Sequence, residues 1–366
     1  MISETAMSLM RRDNVPKPNL GHEINQLPDW SFYVFLANFL LFIPVFVLCS
    51  YTFEKVFPVL AIVQDEKPPA YAPLAVEPLA ANDDMTKPTG VPSAPVAVAV
   101  AGQGKPVTSS FRATFSLLRS TGGFRAMYRG IFMHALQALA LALVNTALYH
   151  ITPYSFIIAH LLSSLICVQL STAWVHIVIT PESQERWYSR IPAFKSTFLA
   201  TWRPIVIFWA ASQIVTLGGI STFYAMGTDG QEIPQFDGSE GSVWGIMILA
   251  LFLQIAVQIP AYVVLVRVQA SLLPAEADTI IPFDRSFNGR IEPVVVGGRG
   301  YATVRDAWSS FSKSAWKRIV MLELKVIAVS FASIFGLMVV IIPQIILLAS
   351  LSAPSGDGPS DGDMKM

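Results

Sequence analysis

"WSFYVFLANFLLFIPVFVLCSYTFEKVFPVLAIV", Trp30 to Val63, is apolar along almost its whole length and carries only Glu54 and Lys55 as charges. Crossing about 30 Å of hydrocarbon takes about 20 apolar residues in helical form, and this run is longer. At 1.5 Å per residue it would reach about 50 Å. It must therefore tilt, bend at Pro44, or leave the bilayer near Glu54. The rest of the chain agrees with a membrane setting. Of 366 residues, 53% are hydrophobic and 14% charged, against about 25% charged in a soluble domain. Mean hydropathy is +0.52.

Five further apolar runs follow: Ile131 to Tyr149, Tyr154 to Ile179, Ile205 to Ala225, Val243 to Val266 and Ile319 to Leu351. They predict an all-α integral membrane protein with six transmembrane helices arranged as three helix pairs. The loops alternate in length. Those at 64–130, 180–204 and 267–318 are long and share one face; those at 150–153 and 226–242 are short and share the other face with both termini. Of the 25 Lys and Arg, 19 fall on the long-loop face and 4 on the opposite one, whereas acids divide 12 to 11. Basic residues favour the cytoplasmic side, so the long loops are expected in the cytosol, or in the matrix of a mitochondrial inner membrane.

The resulting organisation is a polar tail at 1–29, a membrane domain at 30–351 and an acidic tail at 352–366. A Pro/Ala-rich loop at 64–110 is expected to be disordered. The N-terminus has neither the layout of a signal peptide nor that of a transit peptide. An endomembrane or the plasma membrane is the expected location, with a mitochondrial membrane as the alternative. Cys49 and Cys167 are isolated within apolar runs, which gives no disulfide framework and no zinc spacing. No phosphate loop, carboxylate pair or metal-ligand cluster stands out, so no enzyme activity, cofactor, metal or nucleic-acid partner is expected.

An internal similarity runs through the chain. "FRATF" (Phe111 to Phe115) is echoed by "FKSTF" (Phe194 to Phe198), and each precedes an aromatic-basic pair, Tyr128-Arg129 and Trp202-Arg203. "YATVRDAW" leads in the same way to Trp316-Lys317. Aromatic and basic residues mark membrane interfaces in general, which accounts for the pairs but not for the matching five-residue stretches. The arrangement resembles the mitochondrial carrier family, and the resemblance implies three repeats of two spans joined by an amphipathic helix. "GGFRAMYRG" matches a family element at Gly123, Tyr128, Arg129 and Gly130, with Gly122 in place of its acid. Pro181 and Arg186 match the family's Pro-acid-base motif, as do Pro260, Arg267 and Gln269. Ser183, Tyr262 and Leu265 stand where that motif has charges. No complete acid-base gate pair survives in the three repeats.

The run "FLLFIPVFVLCSYTFEKVFPVLAIV" through "PPAY" to "PVTSSFRATFSLLRSTGGFR" is also similar to a fungal group of multi-pass membrane proteins labelled "ubiquitin carrier protein". Thioester chemistry would need an accessible, electropositive thiol, and both cysteines lie mid-span.

Polar residues inside spans are candidates for a pathway lining: His134, Gln137, Asn145, His160, Gln169, Gln213, Gln254 and Gln258. Interhelical hydrogen bonding is the other reading, at about 0.6–2 kcal/mol per contact. No Lys or Arg is evident at mid-bilayer depth, so a transported solute should be neutral or weakly polar. In the long loop, Pro68-Pro69-Ala70-Tyr71 matches a WW-domain ligand. WW domains read extended proline-rich segments in aromatic grooves. Besides the lipid bilayer, the implied partner is a WW-domain ubiquitin ligase of the HECT type. Two functional classes remain, a membrane adaptor docking such a ligase and a carrier-type transporter.

Overall fold

A computed structural model describes residues 30–65, 106–151, 156–183, 186–226, 240–274, 276–292 and 296–352, without the side chains of 220–226, 240–243 and 349–352. Pro68, Pro69 and Tyr71, the tail at 1–29, the acidic stretch at 227–239 and the tail beyond 352 lie outside the described residues. All regular structure among the described residues is helical. The α-helices are α1 (Ser31–Val47), α2 (Phe57–Val63), α3 (Phe111–Gly122), α4 (Ile131–Ile151), α5 (Phe156–Ile166), α6 (Val168–Ile179), α7 (Phe194–Met226), α8 (Glu240–Leu253), α9 (Ile259–Ser271), α10 (Val304–Ser309) and α11 (Lys313–Ser352). Five continuous segments are long and apolar enough to cross a membrane, and a sixth qualifies if α5 and α6, bent by 57°, form one span. The chain is thus an all-helical, multi-pass membrane protein.

Two π-helical segments interrupt the spans, at Leu48–Val56 between α1 and α2 and at Gln254–Gln258 between α8 and α9. Each is followed at once by an X-Pro pair, Phe57-Pro58 and Ile259-Pro260, with the proline in the first turn of the next helix. Proline lacks an N–H and its ring crowds the carbonyl four residues back. A local π turn relieves both problems without ending the helix. The break between α5 and α6 at Cys167 has no such proline. Pro181 instead follows Thr180, the residue that ends α6. The prolines that look alike in sequence therefore hold different positions relative to their helix ends.

"FRATF" and "FKSTF" also take different places. The first opens α3, an amphipathic helix set apart from α4 by a 3-10 turn; the second opens the spanning helix α7 itself. Gly130 has φ +75, and a Cβ there would lie 3.2 Å from both Trp174 and the Tyr51 hydroxyl. Only glycine fits that turn. The ends of the loop at 64–110 are ordered, because Thr108 donates its N–H and hydroxyl to Gln64 Oε1 at 2.9 and 2.6 Å.

Contacts divide the chain into two units, Met1–Val47 with Val329–Met366, and Leu48–Ala328. Within the first, Asn38 Nδ2 of α1 donates to Gln344 Oε1 in the distal half of α11. The second holds the densest core. Val56 to Val63 are buried without exception, as are Val263 to Ser271.

Candidate functional site

Within the larger unit, the C-terminal ends of α2, α6 and α9 pack against one another. The last carbonyls of a helix have no partner inside it and carry partial negative charge. Here arginines from elsewhere in the chain supply the missing donors. Arg318, in the second turn of α11, donates to Ala61 O at 3.0 Å and Gln64 O at 2.8 Å. Arg267 of α9 donates to Ile62 O at 3.1 Å. Arg129, at the turn into α4, donates to Thr180 O at 2.7 Å.

Arg267 is 1% exposed, the largest side chain buried to that degree among the described residues. Its Nη2 pairs with Asp65 Oδ1 at 3.3 Å and donates to Ser310 Oγ at 3.2 Å. Its guanidinium carbon lies 4.9 Å from the centre of the Phe287 ring and 5.5 Å from that of Phe311. Phe287 has φ 52, a left-handed conformation costing a bulky residue about 1–2 kcal/mol. Burial of its ring against a cation offsets that cost. Asp65 Oδ2 accepts from Asp284 N at 2.8 Å. Burial pushes the Asp65 carboxyl above the usual aspartate range, more than Arg267 and the Asp284 N–H bring it down. Asp284 behaves oppositely. Burial would raise it too, but hydrogen bonds from Ser286 and Asn288, with Arg267 nearby, hold it below that range.

A second tie joins α6 to α9. His176 Nε2 meets Gln269 O at 2.9 Å, and Gln269 Nε2 donates to Ser171 Oγ at 2.8 Å. Tyr51 links the first π segment to the other two regions, donating to Arg129 O at 2.5 Å and accepting from Trp174 Nε1 at 3.0 Å. Arg129, Arg267 and Gln269, three residues singled out by the sequence, thus hold the helix ends together. Gly123 and Gly130 shape the turns leading to α4, with φ 64 and 75. Tyr128 is half-buried beside Phe124. Pro181 and Arg186 stay exposed, and Arg186 donates to the Tyr188 hydroxyl at 2.7 Å. Pro260 opens α9 below the second π segment.

Asp65 and Arg267 form an acid-base pair although they stand far apart in the chain, just after the first and the fifth apolar run. Motif matching inside a repeat misses such a pair. The available signal was an acid or base standing at the boundary of each apolar run.

The polar residues within the spans fall into four sets. His134 lies between the rings of Tyr51 and Trp174, with centroids 5.4 and 5.2 Å away. His134 Nδ1, Gln137 Oε1, Asn145 Oδ1 and His160 Nδ1 are buried atoms without a hydrogen-bond partner among the described residues. Gln254 hydrogen-bonds Glu323, whose carboxyl also feels the charges of Lys55 and Glu54 from the first π segment. Lys55 acts on His134 as well. Gln169 is used structurally, donating to Pro192 O at 2.8 Å. Gln213 and Gln258 are half-buried. No group of three or more metal-ligating side chains occurs among the described residues. Comparison of the chain with protein-family models, with curated proteins and with solved structures returns no match.

Proposed function

We propose that this protein is a carrier of a small, neutral or weakly polar solute, built from three helix pairs and closed at its long-loop end. The observation that carries this reading is the set of buried, unpartnered polar atoms on His134, Gln137, Asn145 and His160. An unsatisfied polar group in a membrane interior is expensive. Four of them on α4 and α5 are best accounted for by water or a solute supplying the missing hydrogen bonds. The ties of Asp65 to Arg267 and of His176 to Gln269 then act as a gate whose release opens the long-loop side. Alternating access requires such a bistable closure.

The test is reconstitution into liposomes with a panel of polyols, sugars and neutral amino acids. At least one should be taken up, with uptake reduced severalfold by Gln137→Ala. Exchange of carboxylates or nucleotides instead would overturn the assignment of solute class.

A second reading is a membrane adaptor in which Pro68-Pro69-Ala70-Tyr71 docks a WW-domain ubiquitin ligase. Asp65 supports it, being anchored to Arg267 and to the Asp284 N–H only three residues before the motif. The motif would therefore leave the bundle from a fixed point on its long-loop face. Loss of ligase association in a Tyr71→Ala variant is the corresponding test.

A further inference from the structure

Between α9 and α10 the chain crosses the ends of two other helices at 279–287. Ile280 N donates to the carbonyl of Ile179, the last residue of α6, at 2.9 Å. Asp65 N, just past α2, donates to Pro282 O at 3.0 Å. The first of these bonds satisfies a helix-end carbonyl that has no partner inside its own helix. Exposure alternates as in an extended strand: Ile281 and Phe283 are 2% and 7% exposed, and Pro282 between them faces out. Further on, the Phe287 ring is fully buried against the Arg267 guanidinium, 4.9 Å away.

This crossing segment carries its own internal ties. Arg285 donates to Pro274 O and Ala277 O, which draws the approach to the crossing back onto its end. Asp284 accepts from Ser286 N at 2.9 Å and from Asn288 N at 2.8 Å. The Phe283 and Phe287 rings meet edge to face, with centroids 5.7 Å apart. A loop closed on itself in this way keeps its shape without the surface beneath it. Apart from the bond to Ile179, its polar ties to the helix ends run through Asp65 and Arg267. Asp65 is shared: Oδ1 pairs with Arg267 at 3.3 Å, and Oδ2 accepts from Asp284 N at 2.8 Å.

We propose that 279–287 is a built-in plug for the long-loop end of the bundle, hooked on Asp65, which lifts as a unit before that end opens. The inference rests on the carrier reading above and adds the part that moves. One carboxylate holds both the closing pair and the plug, so withdrawing Asp65 from Arg267 also takes the acceptor from Asp284 N. The two closures are thereby released together. At rest the burial of Ile281 and Phe283 keeps the plug seated. Once it lifts, water reaches Ile179 O and Asp65 N, so neither backbone group is left unsatisfied. Segments that move in this way belong to the least stable part of a fold, and the few ties to the helix ends suit that role.

The test uses full-length protein in liposomes, with Cys49 and Cys167 replaced by serine. A membrane-impermeant maleimide is applied from the long-loop side. Ile281→Cys should react slowly in this background, and about tenfold faster or more once Asp65→Ala removes the hook. Arg112→Gln, on the exposed face of α3, should leave the rate unchanged. Pro282→Gly loosens the crossing backbone and touches neither charge of the closing pair. It should also raise the rate, and it serves if Asp65→Ala does not insert. Fast labelling of Ile281→Cys from the outset, or a rate unmoved by both variants, would overturn the plug. In a second arm, Ile179→Cys and Ile280→Cys, whose backbones are bonded at 2.9 Å, are oxidised to a disulfide that clamps the segment. Gln137→Cys in the Asp65→Ala protein should stay protected from the long-loop side while the clamp holds, and react once it is reduced. Reaction at position 137 with the clamp intact would show that the end opens around the segment, which refutes the plug. Position 137 reacting from neither side in any variant would instead defeat the carrier reading, and with it the need for a plug. The two failures are told apart because Ile281→Cys reports lifting whether or not a solute passes.

Discussion

Arg267 and Asp65 are 202 residues apart in the chain and 3.3 Å apart in the fold, joining the end of α9 to the residue that leaves α2. The cation is almost fully buried, whereas the Asp65 side chain keeps 20% exposure. Deleting one partner of such a pair leaves the other charge uncompensated. In a double-mutant cycle in detergent, Arg267→Gln should lower thermal stability by more than Asp65→Asn does, because burial already disfavours the ionised Asp65 carboxyl. Their combined effect should fall short of the sum by about 0.5–3 kcal/mol. Strict additivity would mean that the pair does not couple the two helix ends.

The two aspartates beside Arg267 should pull stability in opposite directions with pH. Asp284 is held below the ordinary range. Its contribution is complete above about pH 4 and is lost as pH falls through the depressed value. Asp65 is raised, so its contribution is present below about pH 4 and is lost as pH rises through the raised value. Asp284→Asn should flatten the acid-side loss of stability, and Asp65→Asn should flatten the decline on the other side. The slope of a melting-temperature profile against pH, rather than its level, reads both.

Gly130 combines a left-handed backbone with close approach to Trp174 and Tyr51. Gly130→Ala should cost about 1–2 kcal/mol from the backbone alone, and more from crowding at 3.2 Å. A melting temperature unchanged by this substitution would show that the turn into α4 tolerates another conformation.

The spans were legible because apolar runs of sufficient length have few alternatives. Arg129, Arg267 and Gln269 were legible as residues, through their place beside aromatic, proline and glycine signals. Their partners were not. Thr180, Ile62 and Asp65 act largely through backbone carbonyls or from another part of the chain, and no local spacing encodes which helix end an arginine will reach. The π segments were hidden for a related reason. Pro58 and Pro260 mark a disturbed helix, yet proline alone does not distinguish a kink from a π turn. "FKSTF" misled because an amphipathic opening reads alike whether the helix lies beside the span or runs into it.

The WW-ligand reading makes an independent prediction. A peptide spanning Asp65 to Pro73 should bind an isolated WW domain in the micromolar range, about −7 to −8 kcal/mol. Tyr71→Ala should abolish binding, and Lys67→Ala should leave it nearly unchanged. In cells Tyr71→Ala should reduce ligase association without affecting membrane insertion. Undiminished association would make the motif a feature of linker composition.

The central claim is a polar interior closed at the long-loop end by ties between α2, α6 and α9. Its most direct measurement is the accessibility of Gln137→Cys in a background where Cys49 and Cys167 are replaced by serine. A membrane-impermeant thiol reagent is applied to reconstituted protein from each side in turn. Position 137 should react from the side opposite the long loops and be protected from the long-loop side. Adding Asp65→Asn and Arg267→Gln should open the protected side. Protection from both sides, unchanged when the pair is removed, would contradict the account and leave a closed, scaffold-like bundle.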